Sequence, residues 1–206
     1  MEARPSGIGL CALRIALIGR VRENAGQVRI CSHDEGGVMK PTILEARRET
    51  VARADAPAAR VLCEAIEFET TDAPEFIDIT DDVSRIVEEA GIAFGQVSIY
   101  SQHTTAAIKI NENEPLLLRD LARLLRQFAP PNAYYEHNDF SRRTVNMNED
   151  ECANGHAHVQ HLFLGASETI PVVDGRITLG TWQRIFLIEL DHPRLRRVLV
   201  NVVGAA

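Results

Sequence analysis

Polar side chains capable of chemistry are concentrated in three separated stretches of otherwise apolar, strand-like sequence: Ser101, Gln102, His103, Thr104 and Thr105; Asn154, Gly155, His156, Ala157 and His158; and Gly180, Thr181, Trp182 and Gln183. Imidazoles take up protons or ligate metals near neutral pH, and hydroxyls and amides bind anionic oxygens. Placed at the ends of regular elements, such groups suggest one site assembled from several segments. His103 is the best supplied, because hydroxyls crowd beside it; the competing reading is that Thr104 and Thr105 are simply favourable strand residues.

Geometry divides the remaining histidines. If residues 154–164 are helical, His156 and His158 point roughly opposite ways at about 100° per residue, whereas His158 and His161 share neighbouring faces. On an extended strand His156 and His158 would instead share a face. A satisfied structural role competes for each histidine taken alone. Residues 134–139 bring Tyr134, Tyr135, Glu136, His137, Asn138 and Asp139 together, a donor set suited to Zn²⁺ or Mg²⁺ and also ordinary in a solvated loop. Arg142 with Arg143, and Arg194 with Arg196 and Arg197, offer guanidinium forks for phosphate, although solvated surface charge is the commoner use. Neither a P-loop nor a dinucleotide-binding glycine fingerprint is present, and there is no Gly-x-Ser-x-Gly elbow.

The elements that must position these groups are readable from period and punctuation. Residues 65–70 and 76–79 read as short strands, and 80–90 as a helix capped by Thr80 and closed by Gly91. Residues 96–100 and 106–110 read as strands flanking the His103 motif. A helix begins at Pro115, with Leu117, Leu121, Leu124, Leu125 and Phe128 on one face, and stops at Pro130 and Pro131. Residues 132–153 form a long polar connection, a length that suggests a task. A short helix follows from Gly155 to about Leu164, with Asn154 as its cap. Asp174 and Gly175 mark a tight hairpin, and strands over 177–181, 182–190 and 197–203 complete the pattern. The expected fold is α+β, one compact domain with a mostly antiparallel or mixed sheet packed against a few helices.

Composition limits the function. All 11 Phe, Tyr and Trp residues lie at or beyond Phe68, so residues 1–60 read as an extension, flexible or preceding a start at Met39, and 61–206 as the domain. Residues 61–206 carry 12 Lys and Arg against 22 Asp and Glu, a balance that disfavours nucleic acid as partner. The apolar run Ile8–Ile18, interrupted by Arg14, is too short to span a bilayer and a poor secretory signal. Membrane partners are therefore not expected, and the cytoplasm is the expected compartment. Cys11, Cys31, Cys63 and Cys152 form no paired motif and are expected to be free thiols; Cys152 alone lies near the histidines.

Five motifs in order and register, Ser101 to Glu112, Glu136 to Asp139, Asn154 to Val159, Gly180 to Gln183 and Glu189 to Arg194, resemble the YjbQ-type secondary thiamine-phosphate synthase family over about residues 67–204. The matching positions are His103, Thr104 and Thr105; His137 and Asp139; Asn154 and His158; and Thr181, Trp182, Gln183 and Glu189. His156 falls where the family varies, and His192 stands where the family usually has glycine. The resemblance implies a homotrimer with a polar pocket and a transferase that joins a hydroxymethylpyrimidine diphosphate to a thiazole phosphate, releasing pyrophosphate.

On that basis His103, His158, Gln183 and Glu189 are the expected catalytic residues. Thr104, Thr105, Asn154, Thr181, Trp182 and Arg194 are expected to bind the phosphorylated substrate, and His103, His137 and His158 to hold a divalent ion, Mg²⁺ or Zn²⁺. A metal-assisted phosphate-ester hydrolase and a non-catalytic metal- or ligand-binding trimer are the alternatives.

Overall fold

The structure, a computed structural model, describes residues 26–33, 39–46 and 59–206, and divides the chain into two units, Met1–Thr50 and Val51–Ala206. In the first unit β1 (Gly26–His33) and β2 (Met39–Ala46) pair antiparallel, with Gly26 opposite Ala46. The apolar run at residues 8–18, with Cys11, lies outside the described residues.

The second unit contains β3 (Ala59–Glu69), β4 (Glu75–Asp78), α1 (Thr80–Ala90), β5 (Phe94–Ser101), β6 (Ala106–Glu112), α2 (Pro115–Phe128), a 3-10 turn at Glu136–Asn138, α3 (Gly155–Leu164), β7 (Ser167–Val173), β8 (Arg176–Ile177), β9 (Gln183–Glu189) and β10 (Leu195–Ala205). Its strands form two antiparallel sheets, one in the order β3-β10-β5-β7-β8 and one in the order β4-β9-β6. This is the α+β architecture that strand and helix periods imply.

The period-two pattern of β5, β7 and β10 sends Val97, Ile99, Ile170, Val198, Val200 and Val202 to one face, where they meet Ile108, Ile185 and Leu187 of the smaller sheet. Val83, Ile86 and Val87 of α1 join this core. The opposite face of β6 and β9 carries a second cluster, Ala107, Phe186 and Ile188 with Ala157 of α3, against which Leu118 and Leu125 of α2 pack. Since β9 is buried on both faces, it reads as a continuous apolar run rather than an alternation.

Local chemistry departs from expectation at three places. Thr80 is the first residue of α1 rather than its cap. Its hydroxyl donates to Asp78 Oδ1 at 2.6 Å and accepts the Ile185 backbone N–H at 2.8 Å, tying the helix start to both neighbouring strands. The cap of α2 is Glu114, whose carboxylate accepts from the Leu116 and Leu117 backbones and so satisfies two otherwise unpaired N–H groups of the first turn. Leu124 and Phe128, on the apolar stripe of α2, remain exposed. The Asp174–Gly175 hairpin forms as expected, with positive φ at both residues, but β8 ends at Ile177 rather than continuing to 181.

Candidate functional site

Both sheets present strand ends at one edge of the unit. β5 leaves the larger sheet at Ser101 and β6 enters the smaller one at Ala106, so residues 102–105 cross between them. Ser101 Oγ donates to the Ala106 carbonyl at 2.7 Å and closes this crossing into a tight loop. Ala106 lies opposite Glu189, the last residue of β9, and β10 begins nearby at Leu195. An open cavity of about 790 Å³ occupies this edge. It brings together His103, Thr104, Thr105, His137, Asn154, His158 and Arg194 of the expected site, along with Arg143, Glu151 and Arg196.

The floor is a buried ion pair. Glu189 and Arg196 are 0% and 2% exposed, and the Arg196 guanidinium meets both Glu189 oxygens in a bidentate fork. Glu189 also accepts the backbone N–H groups of Leu190 and Asp191 and the Thr70 hydroxyl, so its charge is fully engaged. Arg196 reaches Thr105 Oγ1 at 3.0 Å. Glu189 does not line the cavity, which corrects its assignment as a catalytic group: it positions Arg196, and through it Thr105.

His103 Nε2 accepts the backbone N–H of Arg197 at 2.7 Å. Burial lowers its pKa below the ordinary 6.5, with the Arg196 charge adding to the effect. A neutral imidazole that accepts through Nε2 carries its proton on Nδ1, so it donates a hydrogen bond rather than offering a lone pair. This geometry removes His103 from the expected metal ligands. Among the described residues, His103, His137 and His158 do not form a close three-donor cluster.

His137 and His158 do meet. Their rings stand edge to face, 4.5 Å between centroids. His137 comes from the 3-10 turn and His158 from the first turn of α3, and Gly155 allows the two segments to dock. Its N–H donates to Asn138 Oδ1 at 2.9 Å, and a Cβ on Gly155 would stand 2.5 Å from Tyr135 Cβ. His137 Nε2 is buried without a partner. The His158 pKa is lowered by burial first and by His137 next, which leaves a neutral imidazole free to donate a lone pair. His156 is buried 8% exposed on another face of the helix, so the helical geometry separates it from His158 as the residue spacing implied. His161, three positions beyond His158, also has a buried, unpartnered Nε2.

The remaining expected residues go elsewhere. Gln183 opens β9 opposite Glu112, six residues and about 20 Å along the strand from Glu189. Its Oε1 accepts the Gly180 N–H at 2.8 Å, closing a turn on which Thr181 and Trp182 stand exposed, Trp182 at 72%. Within one chain, therefore, Gln183, Thr181 and Trp182 do not share the histidine cavity. Asp139 binds its own loop, accepting from the Ser141 backbone and hydroxyl. Arg143, named in the sequence only as half of a basic pair, lines the cavity while paired to Glu151 at 3.0 Å. Glu151 itself had no sequence signal beyond one acid among several in a polar loop.

Fold and site together define an α+β domain with an arginine- and histidine-walled polar cavity at the common end of two antiparallel sheets. A family described as UPF0047 protein YjbQ-like matches residues 64–205, and the chain belongs to that family. A UPF0047 protein of Methanothermobacter thermautotrophicus is 41% identical over 144 residues, which span 70% of this chain and 93% of the relative. The UPF0047 protein YugU of Bacillus subtilis is 35% identical over 144 residues, covering 69% of this chain and all of YugU (100%). Among solved structures, a YbjQ-like protein of unknown function from Sulfolobus solfataricus has a TM-score of 0.65 at 38% identity, covering 71% of this chain and 99% of that one. A YjbQ/UPF0047 protein of Clostridium acetobutylicum has a TM-score of 0.60 at 34% identity, covering 68% and 98%. The helices found among the described residues are not long and apolar enough to cross a membrane.

Proposed function

We propose that the cavity binds a small phosphorylated substrate and that the protein is a transferase of the thiamine-phosphate synthase type. It would join a hydroxymethylpyrimidine diphosphate to a thiazole phosphate. The observation that carries the reading is the convergence of Arg143, Arg194, His103 and Thr104 on one cavity of about 790 Å³, large enough for both ring systems. In this transfer the bond from the pyrimidine methylene carbon to oxygen breaks, pyrophosphate leaves with the electron pair, and the thiazole nitrogen lone pair forms the new C–N bond. No strong base is required. What the step needs is stabilisation of charge on the departing pyrophosphate, which guanidinium groups and preorganised N–H and O–H donors provide.

In this reading Arg194 and Arg143 receive phosphate oxygens, and His103 Nδ1–H and the Thr104 hydroxyl orient them. Asn154, 7% exposed, holds Asp191 through its Nδ2, and its buried Oδ1 has no partner. The buried, unpartnered Nε2 of His137 beside His158 fits a divalent cation, and paired imidazoles suit Zn²⁺ better than Mg²⁺. Such an ion would neutralise developing negative charge on the leaving group. The assembly in this reading is a homotrimer, with Trp182 and Gln183 of one copy serving the cavity of another.

The deciding measurement is pyrophosphate release with each precursor alone and with both together. Release that requires both supports the transferase. Phosphate released from one ester alone favours a metal-assisted hydrolase, the reading for which the His137–His158 pair speaks. If neither occurs but ligand or metal binds tightly, the protein is a binding trimer. Mixing His158→Ala with Gln183→Ala chains tests the shared site, since mixed assemblies regain activity only if the two residues act across copies.

A further inference from the structure

Beside the main cavity lies a second recess of about 120 Å³, walled by Cys152, Asn154, His192 and Arg194 and by the acids Asp150 and Glu151. Three possible ligand atoms converge next to it, Cys152 Sγ, Asp191 Oδ1 and His192 Nδ1. Sγ lies 3.5 Å from Nδ1 and 3.9 Å from Oδ1, and Nδ1 lies 3.0 Å from Oδ1. Donors around a tetrahedral zinc, with bonds of about 2.0–2.3 Å, stand about 3.3–3.8 Å apart, so these three atoms need to move only a few tenths of an ångström. Asn154 supplies an independent pointer: it is 7% exposed, lines the same recess, and its Oδ1 has no partner.

We propose that Cys152, Asp191 and His192 form a binding site for a zinc-class divalent cation, distinct from the His137–His158 pair. Thiolate, imidazole and carboxylate together favour Zn²⁺ or Co²⁺ over the hard ions Mg²⁺ and Ca²⁺. In the structure one positive charge already sits among these atoms. Arg194 Nη2 lies 2.6 Å from Asp191 Oδ2, 2.6 Å from His192 Nδ1 and 4.0 Å from Cys152 Sγ. The guanidinium and the metal are therefore competitors for one anionic nest. Arg194 also lines the large cavity, so a metal that displaces it would release the guanidinium toward phosphate. Binding deprotonates the thiol, and the proton goes to solvent.

The proposal does not depend on the transferase reading, and its test needs no turnover. The full chain is titrated with Co²⁺ under reducing conditions and followed by thiolate-to-cobalt charge transfer in the near ultraviolet and by bound metal per chain. The expected result is a thiolate band that Cys152→Ser abolishes, that His192→Gly weakens in affinity by about tenfold or more, and that Cys63→Ser and His158→Ala leave in place. Arg194→Ala is expected to tighten cobalt binding by removing the competing cation. Absence of the band in the wild-type chain, its survival in Cys152→Ser, or unchanged affinity in His192→Gly overturns the site. Thermal melts of each variant confirm folding, and the two ligand variants act independently.

Discussion

His103 Nε2 accepts the Arg197 backbone N–H at 2.7 Å, which directs the imidazole's own proton to Nδ1. A histidine so held is a neutral donor, and burial, by lowering its pKa below the ordinary 6.5, favours that uncharged form. If it orients phosphate as proposed, its contribution to affinity is constant between about pH 6.5 and about pH 8, because no imidazolium is lost on the way up. Titration of pyrophosphate across that range checks this, and His103→Phe is expected to weaken binding by about tenfold. Loss of the His103 contribution with a midpoint near 6.5 would make the group a cation instead.

Folding stability is expected to fall on mild acidification. Burial lowers the pKa values of His103, His156, His158 and His161. The unfolded chain, with histidines near 6.5, then binds more protons than the folded one, so stability is intact above about pH 6.5 and declines as pH drops through the lowered values. Melting temperatures between about pH 7 and about pH 5 report this, and His156→Gln is expected to flatten part of the slope.

The Glu189–Arg196 pair predicts an asymmetric cost. Arg196→Met alone leaves the buried carboxylate without its cation and is expected to destabilise the fold by about 3–5 kcal/mol, whereas adding Glu189→Leu recovers only part of that loss, because the Asp191 N–H loses its acceptor. Denaturant unfolding measures both, and neither variant retains the anchor for Thr105.

Substitution separates the two histidines of the His-x-His sequence. His158→Ala is expected to reduce metal content or activity far more than His156→Ala, since His158 reaches the cavity and His156 is buried on another face of α3. His156→Ala instead lowers stability by about 1–3 kcal/mol, as loss of a buried side chain does. Parallel metal analysis and denaturation of the two variants would reverse this assignment if the order came out the other way.

Gly155→Ala is expected to harm the site more than the fold. The added methyl meets Tyr135 at 2.5 Å and pushes the His137 turn off α3, while the two sheets are untouched. A loss of activity of tenfold or more, with a melting temperature changed by only about 5 °C, is the expected pattern.

The fold was legible where period and punctuation agree: the Asp174–Gly175 hairpin, the strand pattern of β10, and α2 behind Pro115. It was less so where side chains serve tertiary partners. Thr80 resembles a cap because threonine often caps, yet its hydroxyl joins two strands. The local motifs at His103 and His158 lie at element ends, and both residues line one cavity. Glu189 and Gln183 show the limit: the rise of their shared strand sets them about 20 Å apart, but it takes the register with β6 to show that Glu189, not Gln183, lies at the cavity end. Linear spacing carries no information on which end of a strand faces which neighbour.

The docking of the 3-10 turn onto Gly155 carries a consequence for the chain between them. Because Asn138 Oδ1 fastens the turn directly to the helix start, residues 140–150 need only leave and return, without steering His137. Insertions beyond Arg143 in that stretch are expected to be accommodated, leaving the imidazole pair in place while changing what can enter from solvent.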